Sequence, residues 1–230
     1  GGKRVLMPGL ADMHVHFPPM MGDEGDASWR LVTLLLANGV TTVRGMVGQA
    51  EHIELRRRLV AGELLGPTAH MACPPMTTQT APTPEVAAEC VALQKDVGYD
   101  FIKSHRVVSP EVHAAVIKAA REAGLPVTGH VDNEVGLSRV LGTGQQIEHL
   151  DGYFAALLIE PGQADQFGQV VPAGWGDRFD LAKINEVARS IAAARAWSGP
   201  TLALFRNIAL SYEPVEQWAS RPELRYIRPA

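Results

Sequence analysis

VLMPGLADMHVHF, residues 5–17, is an apolar run that ends in two histidines, His14 and His16. Side chains on a strand repeat every two residues, so both imidazoles point to one face. Two neutral imidazoles on one face make half of a transition-metal site. A His-x-His pair also arises in surface turns, so its context carries the weight. Lys103 lies in YDFIKSH, His130 in LPVTGHV and His149 in QQIEHLDG. Each is a short β-rich segment preceded by Gly or Pro and followed by a turn or helical pattern. Four separate strand ends therefore carry ligand-type residues.

Around these segments strand and helix patterns alternate. The first strand, Val5 to His16, is followed by a helix over Ser28 to Gly39, with Ser28 at the N-cap and Gly39 as its stop. Thr41 to Met46 reads as the second strand and Ala50 to Leu65 as a helix. Pro67 to Cys73 reads as the third strand, and Pro84 to Gly98 as the helix after it. DFIKSH, residues 100–105, is the fourth strand, and Ser109 to Gly124 is the clearest helix, with Ser109 capping it and Pro110 at its first position. PVTGHV is the fifth strand, Glu134 to Leu141 a short helix and QIEHL the sixth strand. Asp151 to Arg178, rich in Gly and Pro, breaks the rhythm, and so long a loop inside a domain is more often functional than accidental. A helix over Phe179 to Trp197 leads to a seventh strand, Pro200 to Phe205, and PVEQWAS adds a last helical stretch.

Repeated βαβ connections are right-handed and imply a parallel sheet, open or closed. Ligands from the first, fourth, fifth and sixth strands converge on one centre only if the sheet closes. The fold class is therefore α/β, a TIM-like (β/α) barrel with about seven of eight βα units in one domain, residues 1–230, incomplete at its C-terminus. The chemistry of such a barrel is built at the C-terminal strand ends, where all the candidates lie.

Composition narrows the function classes. The chain has 230 residues, 46% of them apolar, enough for a proper core, and a formal net charge of −4. The one block of like charge, Arg56-Arg57-Arg58, sits in a helical pattern and reads as a solvated helix face, so nucleic acid is a poor partner. The two cysteines, Cys73 and Cys90, lack CxxC spacing and give no disulfide framework. No run approaches the ~18 apolar residues of a membrane span, and no signal-peptide arrangement stands at Gly1. The compartment stays open.

Lys103 is the odd member of the set, because an ammonium repels cations. An amine that has reacted with carbon dioxide becomes an anionic carbamate, whose two oxygens can bridge two metals.

Taken together, GLADMHVHF, the IKSH strand, VTGHV and IEHLDGY resemble the amidohydrolase superfamily. More narrowly they resemble its imidazolonepropionase-related and Xaa-Pro or Xaa-Arg dipeptidase-like branch. The likeness runs from Val5 to about Ala230. It implies a barrel with two zinc ions: His14 and His16 hold the more buried one, a carbamylated Lys103 bridges the pair, and His130 and His149 hold the more exposed one. It further implies hydrolysis of an amide or peptide-like C–N bond by a metal-bridging hydroxide, with Lys103 and His149 at the chemistry and a dipeptide or other N-acyl amino acid as substrate. Tyr153, His105 and Arg44 are candidate oxyanion donors or substrate-carboxylate anchors. His52, His70 and His113 read as structural or exposed.

Two departures from the family pattern stand out. Gly45 occupies the place of an acid after Arg44, which leaves that arginine without its usual partner. No aspartate follows on a last strand, where the family places its proton shuttle, and Asp132 and Asp151 lie on the wrong strands to replace it. The flanking β-sandwich is largely absent. The competing reading is a non-catalytic metal-binding barrel fragment, whose exposed edge strands invite a second copy of the chain. A metal-free phosphate-binding barrel is disfavoured, because no glycine-rich loop follows the seventh strand. Tyr153, Phe154, Phe167 and Trp175 in the long loop suggest an apolar or aromatic substrate group.

Overall fold

A computed structural model of the chain describes residues 2, 4–18, 25–106, 109–160, 175–210, 216–217 and 220–222. Its strands are β1 (Leu10–Val15), β2 (Val40–Gly45), β3 (Thr68–Met71), β4 (Met76–Thr77), β5 (Ile102–Arg106), β6 (Val127–Gly129), β7 (Gln146–Glu148) and β8 (Ser198–Gly199). They form two parallel sheets, ordered β1-β2-β3 and β4-β5-β6-β7-β8. A parallel bridge between Ala72 and Phe101 leads from the first sheet into the second. Helices α1 (Gly25–Ala37), α2 (Ala50–Val60), α3 (Pro84–Val97), α4 (Pro110–Glu122), α5 (Leu137–Leu141), α6 (Tyr153–Leu157) and α7 (Ile184–Ala193) alternate with the strands. The expected α/β fold of parallel strands is present and is consistent with part of a (β/α)₈ barrel.

Strand alternation sorts the side chains. Val43, Ile102 and Val127 turn outward into a core shared with Val32, Leu55, Val91 and Val116 of the helices. Ile147 packs outward on Val131 and Val140. Their neighbours Arg44, Lys103, Thr128 and Glu148 take the opposite face, the inside of the curved sheet.

Local signals set the helix ends. Thr83 Oγ1 accepts from the Val86 N–H at 3.3 Å and Ser109 Oγ from the Val112 N–H at 3.2 Å, each with Pro at the first turn. Gly98, at φ 95°, closes α3 in the left-handed conformation that glycine adopts without penalty.

Several boundaries differ from the sequence reading. α1 starts at Gly25, so Ser28 lies inside it, where its buried hydroxyl donates to the Pro18 carbonyl at 2.9 Å. β1 begins only at Leu10, and Val5 and Leu6 are exposed. β4 is an additional short strand paired with β5. The expected strand at Pro200 to Phe205 is a correction: the strand is Ser198–Gly199, and α8 (Leu202–Leu210) follows. Leu202, Ala203, Leu204 and Phe205 are apolar without β-branching, and so short a run fits helix as well as strand. The part of the long loop at 161–174, with Phe167, and most of PVEQWAS lie outside the described residues.

The chain divides into two compact units, residues 1–199 and 200–230. In the second, α8 begins after Thr201, whose carbonyl accepts from Leu204 N at 2.9 Å. No helix among the described residues is long and apolar enough to cross a membrane. Arg57 is tied to Glu54 and Glu63, Arg58 to Glu63 and Arg56 to Asp100, so all three clustered arginines are matched by acids of this chain.

Candidate metal centre

β1, β5, β6 and β7 bring His14, His16, Lys103, His130 and His149 into one neighbourhood, Lys103 from within β5 and His16, His130 and His149 from just beyond the C-terminal ends of their strands. His14 and His16 share a face of β1, with their Nε2 atoms 3.1 Å apart. The His14 and His149 rings lie 4.4 Å apart between centroids, His130 and His149 4.9 Å, and His105 and His130 4.6 Å.

His149 arrives by a route that alternation does not give. Glu148 points inward, so the next side chain along a regular strand would point outward. The chain leaves β geometry there: His149 and Leu150 both have φ of 60°. That left-handed pair returns the imidazole to the inner side, at a cost of about 1–3 kcal/mol for each residue.

Lys103 is 1% exposed, and its Nζ has no hydrogen-bond partner among the described residues. Burial pushes its amine down to about 8, against the pull of Glu148 and Asp151. The Lys103 N–H donates to Cys73 Sγ at 3.2 Å, and burial raises that thiol to about 12, which leaves Cys73 an inert core residue. Burial, then the charges of Lys103 and His14, lowers His130 to about 3; burial, then His14 and His130, does the same for His149. Both imidazoles are therefore neutral near pH 7, the state that ligates metals.

Two carboxylates outside the ligand set expected from the sequence hold the histidines from behind. Glu148, fully buried, accepts from His14 Nδ1 at 2.8 Å and from Thr128 Oγ1 at 2.6 Å, and it pairs with Arg44. Burial alone would raise its carboxyl, but the bonds from His14 and Thr128 and the Arg44 charge hold it at about 2. Asp151, also fully buried, accepts from His130 Nδ1 at 2.7 Å. Gln145 donates to the His130 carbonyl at 3.0 Å and meets His113 Nε2 at 2.9 Å, which gives the buried His113 a structural role. The one available sequence signal was position: Glu148 directly precedes His149, and Asp151 follows it by two.

Two expectations from the sequence change. Arg44 does not lack a partner, because β7 supplies one: the guanidinium donates to Glu148, to Gln146 Oε1 at 2.5 Å and to the Met13 carbonyl at 3.1 Å. An acid at position 45 would not fit, since a Cβ there would lie 2.8 Å from the Phe17 ring and 3.0 Å from Met71 Sδ. Tyr153 packs against the Val131 and Ile147 cluster, and its hydroxyl meets Ser198 Oγ at 2.6 Å, so the structure does not bring it to the histidines. His105 stays beside His130. His52 is buried against Phe17 and bonded to the Pro18 carbonyl, and His70 is exposed on β3.

Among the described residues no three His, Cys, Asp or Glu side chains stand as a ready ligand set for one ion; the contacts run pairwise around the ring of histidines. The chemistry of the donors nevertheless fits metal: imidazoles kept neutral, carboxylates on the far ring nitrogens, and an orphaned buried amine among them. A separate cavity of about 660 Å³ is lined by Met13, Arg44, Phe101, Thr128, Gln146 and Trp197 and by none of the five candidate ligands.

A parallel α/β fold that groups four histidines and a lysine beside its strands is consistent with part of a (β/α)₈ barrel. Residues 5–193 match the profile of the Amidohydrolase family, and the chain belongs to that family. It is similar in fold to a Xaa-Pro dipeptidase solved with bound methionine (TM-score 0.61, 21% identity, 85% of this chain and 53% of that one). It is also similar to a bottromycin amidohydrolase (TM-score 0.57, 25% identity, 85% and 41%) and to another amidohydrolase (TM-score 0.63, 18% identity, 94% and 58%). The chain thus spans about half the length of these solved structures. No curated protein matches it.

Proposed function

We propose that this chain carries the metal centre of a hydrolase of amide or peptide-like C–N bonds, with His14, His16, Lys103, His130 and His149 as ligands to two zinc ions. The observation that carries the reading is the Lys103 amine, buried beside four histidines and without a hydrogen-bond partner among the described residues. Burial favours its neutral form, which adds to carbon dioxide: the nitrogen–carbon bond forms, one proton leaves, and the resulting carbamate offers anionic oxygens to metal. When bound, zinc supplies a nucleophile near neutral pH by acidifying water, and it polarises the scissile carbonyl.

The rest falls to the chain's own residues. Glu148 and Asp151 brace the His14 and His130 rings from their Nδ1 sides. His105, next to His130, is the candidate donor to the developing oxyanion. A dipeptide or other N-acyl amino acid is the substrate class, in keeping with the Xaa-Pro dipeptidase among the similar structures.

The test is the zinc content of protein prepared with zinc and bicarbonate, followed by ninhydrin assay of Xaa-Pro and Xaa-Arg dipeptides and N-acyl amino acids. About two zinc ions per chain, as in two-metal hydrolases, together with released amino acid, is the expected result. Zinc without hydrolysis would favour the non-catalytic metal-binding reading. No zinc would end both.

A further inference from the structure

We propose that Arg44 and Glu148 form a clamp that reaches from β2 in one sheet to β7 in the other and fixes His14 as the Nδ1–H tautomer, and so decides which His14 nitrogen is presented to metal. The inference rests on the metal reading above, but it concerns residues outside the ligand set.

Three observations carry it. First, the two oxygens of Glu148 are divided: Oε2 faces His14 Nδ1 at 2.8 Å, whereas Oε1 takes Thr128 Oγ1 at 2.6 Å and the Arg44 guanidinium. An ionised carboxylate only accepts, so the ring proton of a neutral His14 lies on Nδ1 and the lone pair on Nε2. Second, Nε2 is turned toward its neighbouring ligand candidate, 3.1 Å from His16 Nε2. Third, Arg44 is itself held at three further points: Gln146 Oε1 at 2.5 Å, the Met13 carbonyl at 3.1 Å, and the Phe101 ring 5.4 Å below the guanidinium carbon. The clamp therefore ties β1 and β2 to β7, strands from the two different sheets, and its position is set by packing rather than by metal.

The isosteric Glu148→Gln variant separates positioning from bulk. With two donors on the Oε1 side, the amide oxygen belongs there, and the amide NH₂ then faces His14 Nδ1. His14 must answer by moving its proton to Nε2, which removes the lone pair that a metal needs.

The experiment uses metal-free protein labelled with ¹⁵N-histidine, read by long-range ¹H–¹⁵N spectra at about pH 8, with His14 assigned by difference from His14→Gln. The wild type is expected to show a protonated Nδ1 and a bare Nε2, and Glu148→Gln the reverse. Zinc affinity, by competition with a chelating dye, is expected to fall about 10–100-fold in Glu148→Gln, and in the same direction in Arg44→Gln, which still reads the clamp if the first variant does not fold. Asp151→Asn, which acts on His130, serves as the control and should leave the His14 signals in place. An unchanged His14 tautomer in Glu148→Gln, or zinc affinities of both variants within about threefold of wild type, overturns the clamp. A wild type that takes up no zinc overturns the metal reading instead, whatever the tautomer shows.

Discussion

Gly199 lies hard against Glu148: a Cβ at position 199 would collide with Oε2, the oxygen that holds His14. β8 thus contributes to the centre by having no side chain at that point. Gly199→Ala is expected to push the carboxylate aside, with a loss of about 1–3 kcal/mol by urea denaturation, the range for overpacking a filled interior. Zinc affinity should drop with it. Unchanged stability would mean that Glu148 can move freely and that its geometry is not enforced by β8.

Lys103→Met removes a buried amine that has no hydrogen-bond partner among the described residues. A buried polar group left unsatisfied costs about 1–3 kcal/mol, so the metal-free variant should be more stable than wild type by a similar amount in thermal or urea melts. It should also lose zinc uptake. A variant that is destabilised and still binds zinc would remove Lys103 from the centre.

Arg195 is exposed and adopts φ 51° just beyond the end of α7. The left-handed position after a helix suits glycine, because other residues suffer a Cβ clash there. Arg195→Gly is expected to stabilise the protein by about 1 kcal/mol without altering zinc affinity. A loss of stability would show that the arginine side chain makes up for the strain.

Stability should depend on pH through His130 and His149, both held near 3 from an ordinary value of 6.5, chiefly by burial. Between those values the unfolded chain binds protons that the folded chain refuses, so these groups favour folding above about pH 6.5, and that contribution is lost as pH falls toward 3. The urea midpoint of metal-free protein should therefore decline steadily from pH 7 to pH 5, and less steeply in His130→Asn. Equal slopes for the two proteins would show that His130 is not protected.

The order of strands and helices was largely legible, because caps such as Ser109-Pro110 and stops such as Gly98 act within a few residues. Reading Pro200 to Phe205 as a strand failed for the same reason in reverse: a six-residue apolar run without β-branched side chains beyond Thr201 has no local preference strong enough to choose. Of the site, His14 and His16 were readable from a two-residue repeat. Glu148 was not, since its importance comes from the His14, Thr128 and Arg44 side chains, which lie 20 to more than 100 positions away in the chain.

The sequence by itself determined which residue types stand at the strand ends, because strand periodicity and chain order are local properties written in neighbouring positions. Only the tertiary structure decided how those residues are held. It turned His149 inward through a left-handed backbone that no propensity announces, gave Arg44 a partner from β7 in place of the acid missing at position 45, and left Lys103 buried without a hydrogen-bond partner among the described residues. Each of these depends on which distant strands lie near one another, and that is settled by packing of the two sheets rather than by any one segment.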